Sequence, residues 1–435
     1  MSAQPQTGCV IAAPHSGAGK TLITLGILRA LKRAGQAVLS AKVGPDYIDP
    51  AFHTLAGGTA CINLDSWAMG PTFVQSLAAS LDGLFIVEGV MGLFDGAIDG
   101  TGSTADIAAM LDLPVILIVD ARAQSSSAAA LLHGFKTFRH DVTVAGVIFN
   151  RVGSPRHSAL LNQAAAQVGM PVLGCLPRDE QLVMPSRHLG LVQASEQTNI
   201  EELIERAADC VAKHIDLAML TSICDPLAQS HNETKPLPPL GQRIAIAKDE
   251  AFSFTYQHLL DGWRDAGAEI LPFSPLANEA PDPSVDAVFL PGGYPELHAG
   301  TLSENTNFID GLRARAKQAL IYGECGGFMV MGDQLIDANG TAHSMAGLLP
   351  ITTSFEDRTR HLGYRKLTHD SPLPWPKRLR GHEFHYSTLT ASQDGAALFQ
   401  ASNALDETEA SMGMHQGRIM GSYAHVIAAE WSDEA

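Results

Sequence analysis

The stretch Ala12-Ala13-Pro14-His15-Ser16-Gly17-Ala18-Gly19-Lys20-Thr21 restricts the fold more than any other part of the chain. Ahead of it, Cys9-Val10-Ile11-Ala12 is a short apolar run that suits a buried strand. Behind it, Leu22, Leu25, Leu28 and Leu31 recur within Thr21 to Ala34 as an apolar stripe on a helix. Strand, glycine-rich turn and helix in that order make a phosphate cradle, because backbone N–H groups and the positive end of the helix dipole face the anion. Lys20 is placed to reach β and γ phosphates, and the Thr21 hydroxyl to hold Mg²⁺. A glycine usually stands where Pro14 is, so Gly17 and Gly19 must supply the tight turn. The alternative is a Gly-Lys-Thr that happens to open a helix, and the strand ahead of it argues against that. The chain is expected to bind a nucleoside triphosphate.

At 435 residues, two or three domains are expected. The formal net charge is −17 and no long Lys/Arg run appears, which makes nucleic acid and anionic membrane surfaces poor partners. An anionic substrate must therefore find local positive contacts. The six cysteines are scattered with no Cys-x-x-Cys pair, which argues against a zinc site and a disulfide framework, and for a reducing, cytoplasmic setting. Met1 to Thr7 is polar, and no run of about 18 apolar residues follows, so neither export nor a membrane span is expected.

From residue 8 to about 215, short apolar runs alternate with helical segments. Strands are expected at Ala37–Val43, Leu84–Val87, Val115–Val119, Val144–Phe149 and Val172–Leu176, and helices at Asp106–Leu111, Ser126–Phe138 and Glu201–Lys213. Such alternation implies a parallel sheet covered on both faces. Residues 221–242, ending in Lys235-Pro236-Leu237-Pro238-Pro239-Leu240, read as a proline-stiffened linker. A second α/β pattern follows, with strands at Arg243–Ala247, Glu269–Leu271, Ala287–Leu290, Leu320–Tyr322 and Ile419–Ser422, and less regular strands between Gly347 and Thr390. The expectation is an α/β protein of two doubly wound domains, 1–220 and 243–435.

Gly323-Glu324-Cys325-Gly326-Gly327 lies between apolar Ala319–Tyr322 and Phe328–Met331. This is a strand-to-helix turn with a cysteine at its apex, the nucleophile-elbow pattern with sulfur in place of oxygen. The following helix N-terminus is expected to depress the thiol pKa and to offer donors to an oxyanion. A buried structural cysteine is the alternative. Leu290-Pro291-Gly292-Gly293-Tyr294 ends a strand with a second pair of oxyanion donors, and Gly421-Ser422-Tyr423-Ala424-His425 ends another with a histidine. Thiol and imidazole at neighbouring strand ends suit acyl transfer. These motifs together resemble a class I, triad-type glutamine amidotransferase, with Cys325 and His425 catalytic and Gly292, Gly293 and Gly326 around the oxyanion and the glutamine. That family usually carries His-x-Glu. Here Ile427 takes the Glu position, as it is lost in the subgroup fused to corrinoid amide synthases, which leaves the third member open, with Glu430 as a weak substitute.

In the first half, Lys42-Val43-Gly44-Pro45-Asp46-Tyr47-Ile48-Asp49-Pro50 ends the second strand, and Val87-Glu88-Gly89-Val90-Met91-Gly92-Leu93-Phe94-Asp95 ends the third. Both segments fall at the sheet edge where open α/β folds bind ligands. Asp46, Asp49, Glu88 and Thr21 are candidate Mg²⁺ ligands, with solvated strand-end acids as the alternative. These segments, the phosphate loop, Arg187-His188-Leu189-Gly190-Leu191, Gly292–His298, His361–Arg365 and His382-Glu383-Phe384-His385-Tyr386 closely resemble the cobyrinic acid and hydrogenobyrinic acid a,c-diamide synthases, nearly end to end. Dethiobiotin synthetase is a relative of the N-terminal half.

The resemblance implies that ATP converts a ring carboxylate of the corrinoid to an acyl phosphate, with Lys20 and Lys42 supplying positive charge. It implies that L-glutamine gives up ammonia at Cys325, with His425 assisting, and that channelled ammonia forms the amide at positions a and c. Asp46, Tyr47, Asp49 and Asp95 become the substrate candidates, with the roles of Asp46 and Asp49 undivided between ring and metal. Asn150 matches the adenine-reading asparagine of the dethiobiotin synthetase relatives, against a helix-capping role. His382, Glu383 and His385 lie in the segment that lines the glutamine pocket, with no chemical step assigned. Cobyric acid synthase and a nickel-tetrapyrrole a,c-diamide synthase are rival readings in the same class. An ATP-dependent switch protein with an inactive amidotransferase module is the rival from a different class. The overall pattern leans toward the cobalt-free hydrogenobyrinic acid enzymes, and a homodimer is a family expectation.

Overall fold

Val10, Ile11 and Ala12 are wholly buried in β1 (Thr7–Ala12), at the middle of a parallel sheet. Its other strands are β2 (Val38–Val43), β3 (Ile62–Leu64), β4 (Leu84–Glu88), β5 (Val115–Asp120), β6 (Val144–Val152) and β7 (Val172–Pro177). The order is β3–β2–β4–β1–β5–β6–β7, and β8 (Asp225–Pro226) joins the start of β1 antiparallel. Strands covered on both faces must be apolar throughout, which is why β1 and β5 read as unbroken runs. The computed structural model describes residues 6–79, 83–180, 182, 184, 199–228, 236–392, 395–408 and 410–431. The Arg187–Leu191 segment and the 229–235 part of the expected linker lie outside the described residues.

The helices between the strands are α1 (Lys20–Arg33), α2 (Asp49–Gly57), α3 (Pro71–Ala79), α4 (Thr104–Leu111), α5 (Ala128–Thr137), α6 (Pro155–Gln167), α7 (Ile200–His214) and α8 (Leu217–Ile223). Local chemistry sets several boundaries. Ser103 and Asp106 form a reciprocal capping box at α4, and Ser154 caps α6 ahead of Pro155. In α7 the buried Ile200, Leu203, Ile204, Ala207, Ala208 and Val211 make one apolar face, with Glu201 and Glu202 in the first turn and Lys213 and His214 in the last. That face meets α1 at Gly26, where an added Cβ would stand 2.7 Å from the Ala207 carbonyl oxygen. Arg29, 9% exposed, fixes the contact by donating to Glu201, Glu205 and the α2 carbonyls of Leu55 and Ala56.

From β1 the chain crosses to β2 on one side, while from β4 it crosses to β5 on the other. The connections thus diverge at the carboxyl ends of β1 and β4, where such sheets bind ligands. Two features differ from the sequence expectation. Ile62–Leu64 is a short strand with no periodicity to announce it, so Glu88 ends the fourth strand rather than the third. A helix that the sequence reading did not name begins in the acidic segment: Asp49 opens α2, with Pro50 in its first turn. The front of the expected linker also folds, as the end of α8 and as β8.

The chain divides into compact units at residues 1–234 and 235–435. In the second unit come β9 (Arg243–Ala247), α9 (Gln257–Asp265), β10 (Glu269–Phe273), β11 (Ala287–Leu290), α10 (Ala299–Glu304), α11 (Thr306–Arg315), β12 (Leu320–Glu324) and α12 (Gly326–Val330). They are followed by β13 (Gln334–Ile336), β14 (Ala342–Ser344), β15 (Ile351–Ser354), β16 (His361–Thr368), β17 (Arg378–His385), β18 (Thr388–Ser392), β19 (Gln400–Ser402), β20 (Met414–Gln416), β21 (Ile419–Ser422) and β22 (Ala424–Ala429). The main sheet runs β10–β9–β11–β12–β21–β20, parallel except for β20. It packs on Phe252, Phe308, Ile321 and Phe328, all nearly inaccessible.

Two four-stranded sheets, β14–β13–β15–β18 and β19–β16–β17–β22, supplement it. The doubly wound pattern thus describes only part of this unit. The histidine expected to end β21 instead lies within β22, which belongs to the second small sheet. No described helix is long and apolar enough to cross a membrane.

Two stability outcomes follow from this packing. Gly26→Val should lower the denaturant midpoint of the first unit by overpacking α1 against α7, a loss of about 2–3 kcal/mol; a wild-type midpoint would contradict that contact. His258 on α9 donates from Nε2 to the Ile427 carbonyl of β22 at 2.9 Å, and burial holds its pKa down to about 4. Protons therefore bind the unfolded chain first as pH falls from about 6.5, so the stability this neutral imidazole contributes is present above that pH and is lost on the way to pH 4. Thermal melts across this window should show His258→Gln less acid-sensitive than the parent.

Candidate functional site

The phosphate loop closes as its glycines require. Gly17 has φ +80° and Gly19 φ +97°, a region that residues with a Cβ rarely enter, and Gly19 stands immediately before α1. Lys20 and Thr21 therefore open the helix, and its N-terminus faces a cleft of about 700 Å³. Lys20, Thr21, Lys42, Glu88, Arg122 and Arg151 line this space. Lys20 Nζ donates to the Met91 carbonyl, and Met91 itself has φ +48°.

Behind the loop, charges from β2, α2 and β4 meet. Lys42 Nζ donates to Asp49 Oδ2 at 2.6 Å and to Glu88 Oε1 at 2.8 Å, with Asp46 Oδ2 at 3.9 Å. Thr21 Oγ1 donates to Glu88 Oε1 at 2.7 Å and lies 3.2 Å from Asp49 Oδ2. Glu88 has no exposed surface, and its other oxygen accepts from His53 Nε2 at 2.7 Å. Burial works against its charge, but Lys42 and His53 outweigh that and hold the carboxyl well below its usual range. Burial likewise opposes charge on Lys42, and Asp49, Glu88 and Asp46 reverse the balance. Asp46 is pushed up to about 6 by burial and by neighbouring Asp49, against Lys42 and the backbone N–H groups of Asp49 and Ile48. His53 is lifted to about 10: burial opposes its charge, and Cys61 and then Glu88 overcome it.

The structure brings Thr21, Lys42, Asp46, Asp49 and Glu88 together at one edge, with His53, which the sequence reading did not single out. Only its spacing on α2, four residues after Asp49, would have marked it. The reading also missed Asp120, the last residue of β5. It accepts from Arg122 and from Arg151 at 2.7 and 2.6 Å, and Arg151 also donates to the Gly17 carbonyl. Burial resists ionisation of Asp120, but these guanidiniums hold it near 2. Asn150 donates to the Ala18 carbonyl at 2.9 Å, and its amide nitrogen would lie 2.4 Å from a Cβ at Gly19. It stands against the phosphate loop and caps no helix. Asp95 is exposed and accepts from the Gly92 N–H at 2.9 Å, and Tyr47 is half-buried beside Asp46.

In the second unit Cys325 occupies the turn between β12 and α12 with φ +46° and ψ −106°, a strained setting for a residue with a Cβ. Its N–H donates to the Ser422 carbonyl at 2.8 Å, which ties the turn to the end of β21. One residue later the chain leaves that sheet, and β22 brings His425 back. A Cβ at Gly292 would stand 2.3 Å from His425 Cε1, 3.2 Å from Nε2 and 3.3 Å from Cys325 Cβ. Thiol-bearing carbon and imidazole therefore flank one small space, and only glycine leaves it open. Gly293 and Gly326 approach so closely that a Cβ at Gly326 would lie 3.1 Å from the Gly293 nitrogen.

The thiol is not activated as expected. Burial, followed by the charge of Glu296, drives its pKa well above the usual range, and the Gly326 N–H only partly opposes this. A helix of five residues has too little dipole to reverse the burial. Nearby, Glu383 accepts from Arg365 at 2.9 and 2.8 Å and from His385 Nε2 at 2.8 Å, and the His385 ring stacks on Tyr423. Glu430, the substitute acid considered from the sequence, faces Arg378 and Arg380 at 3.5 and 4.0 Å. The acid beside the imidazole is Glu324, whose Oε2 lies 3.6 Å from His425 Nδ1.

Comparison with known proteins agrees with this division. Residues 9–192 match the CobQ/CobB/MinD/ParA nucleotide binding domain, and residues 243–432 the CobB/CobQ-like glutamine amidotransferase domain. The chain is 51% identical to the hydrogenobyrinate a,c-diamide synthase of Brucella abortus, over 98% of this chain and 99% of that one. It is 50% identical to that of Rhodobacter capsulatus, over 98% of this chain and all of the other. A crystal structure of a glutamine amidotransferase aligns with 42% of this chain and 89% of its own, at 13% identity and a TM-score of 0.29. With two domain families matched in order and half of all residues shared along the whole length, the chain belongs to the hydrogenobyrinate a,c-diamide synthase family.

Proposed function

We propose that the protein amidates the a and c carboxylates of hydrogenobyrinic acid in cobalamin biosynthesis, with L-glutamine as nitrogen donor and ATP as energy source. One observation carries this reading. A phosphate loop beside a buried Lys42–Asp49–Glu88 cluster occurs on the same chain as a thiol and imidazole flanking a glycine-lined space. The names of the relatives supply the ring and the two positions.

In the first unit, an oxygen of the ring carboxylate attacks the γ phosphorus of ATP. That O–P bond forms, the β–γ bridging bond breaks, and ADP departs from an acyl phosphate. Lys20, now on the Met91 carbonyl, and Lys42 neutralise charge on the moving phosphoryl group. The donor set suits Mg²⁺, since hydroxyl and carboxylate oxygens converge on Thr21. Thr21, Asp49 and Glu88, with Asp46 beside them, would hold the ion, which when bound supplies further positive charge against the phosphates. Asp46, Tyr47 and Asp95 are assigned to the ring side of the cleft. Asn150 is assigned to the adenine side, consistent with its place against the phosphate loop.

In the second unit His425 takes the Cys325 proton as sulfur attacks the γ-carboxamide of glutamine. The proton then passes to the leaving nitrogen, the C–N bond breaks, and ammonia leaves a γ-glutamyl thioester. Water hydrolyses the thioester to glutamate and restores the thiol. The N–H groups of Gly293 and Gly326 are assigned to the oxyanion. Ammonia attacks the acyl phosphate, the new C–N bond replaces the C–O bond, and phosphate leaves. A second round completes the diamide. The six free cysteines suit a cytoplasmic setting.

Incubation with hydrogenobyrinic acid, glutamine and Mg-ATP should yield the diamide by mass, and an unchanged ring would reject the reading. Cys325→Ser should lower glutamine-driven amidation by about 10³-fold or more while leaving the ammonia-driven rate within about twofold. Glu88→Gln should show the reverse pattern. Amidation should fall by about 10²-fold with either nitrogen source, because Glu88 would no longer hold the Mg²⁺ and Lys42 in place against the phosphates, while glutamine hydrolysis persists. Full amidation in that variant would remove Glu88 from the phosphate site.

A further inference from the structure

The amidotransferase half lacks the acid that usually follows its histidine by two residues. Position 427 holds a wholly buried Ile, whose carbonyl is committed to His258. We infer that Glu324, the residue immediately before the nucleophile, replaces that acid and positions His425 for the glutaminase step. This inference rests on the glutaminase reading of Cys325 and His425 given above.

The geometry is specific. Glu324 ends β12 and is 2% exposed. Its Oε1 accepts from the Val426 N–H and from the Tyr322 hydroxyl, each at 3.0 Å. Those two anchors, the hydroxyl of Tyr322 two residues back on β12 and the N–H of Val426 on β22, fix the carboxylate plane and leave Oε2 directed at His425 Nδ1, 3.6 Å away. The opposite edge of the imidazole, Cε1 and Nε2, faces the Gly292 space beside Cys325. A proton held on Nδ1 by Glu324 leaves the lone pair on Nε2, where the thiol proton must go, and the carboxylate stabilises the imidazolium until Nε2 returns that proton to the departing nitrogen. The contact is slightly long for a hydrogen bond, as such contacts often are before substrate binds.

The alternative acids are placed elsewhere. Glu430 is turned to Arg378 and Arg380, and Glu383 is taken by Arg365 and His385. The acid has thus moved from the histidine strand to the cysteine strand. A single turn now carries both the nucleophile and the group that orients its base.

The test is Glu324→Gln in the full-length protein, which keeps an acceptor for Val426 and Tyr322 but removes the charge. The expected result is a fall of about 10²-fold in kcat for glutamine hydrolysis, with KM for glutamine within about twofold and ammonia-driven amidation unchanged. A parental kcat for Glu324→Gln beside an inactive Cys325→Ser overturns the role of Glu324 and leaves the nucleophile standing. Glutaminase activity surviving in Cys325→Ser overturns the underlying reading instead. Should Glu324→Gln also lose ammonia-driven amidation, Tyr322→Phe decides. A drop of about threefold or more in glutaminase kcat at constant KM supports the positioning role, and a parental kcat refutes it.

Discussion

A carboxylate taken fully out of water must be met by donors or cations, or it will not stay ionised. Both halves of this protein are built around one such group at the last position of a central parallel strand. Glu88 ends β4 and Glu324 ends β12, with 0% and 2% exposure. Around Glu88 the donors are Thr21, Lys42 and His53, drawn from the phosphate loop, the neighbouring strand and α2. Around Glu324 they are Tyr322 and the Val426 N–H, with His425 Nδ1 3.6 Å from its other oxygen. In each case the buried acid holds its donors in place, because their departure would leave it uncompensated.

The two sites use this constraint differently. At the nucleotide edge Asp46, Asp49 and Glu88 confront Lys42 and His53, so the cluster is held together by strong attraction in a poorly screened interior. Such a cluster is ordered before substrate arrives, which is what stabilising a phosphoryl group in transit demands. At the thiol edge the surroundings oppose charge. Burial and nearby carboxylates push the Cys325 thiol pKa up, so in the proposed glutaminase step its proton is left for His425 to take. A nucleophile that stays neutral until its base is engaged is protected from adventitious oxidation.

Much of the active edge was legible locally. The phosphate loop announces itself by spacing, and the strand-end acids by their place after apolar runs. The cysteine elbow is marked by glycines on both sides. What the chain did not disclose has physical causes. β3 is too short to show a period. The α2 start at Asp49 is hidden by Pro50, which reads as a breaker although it is tolerated in a first turn. His53 and Asp120 carry no motif, and their importance lies only in the partners that folding gives them.

The sequence by itself determined the two α/β units, the glycine-rich loop and the cysteine elbow, since each depends on residues close together or on a pattern that sterics makes nearly obligatory. Only the tertiary structure decided which acid lies beside His425, which cations surround Glu88 and what surrounds the Cys325 thiol. Those are relations between residues as far apart as 324 and 425, or 53 and 88, and they exist only once burial has removed water and left the paired groups as each other's solvent.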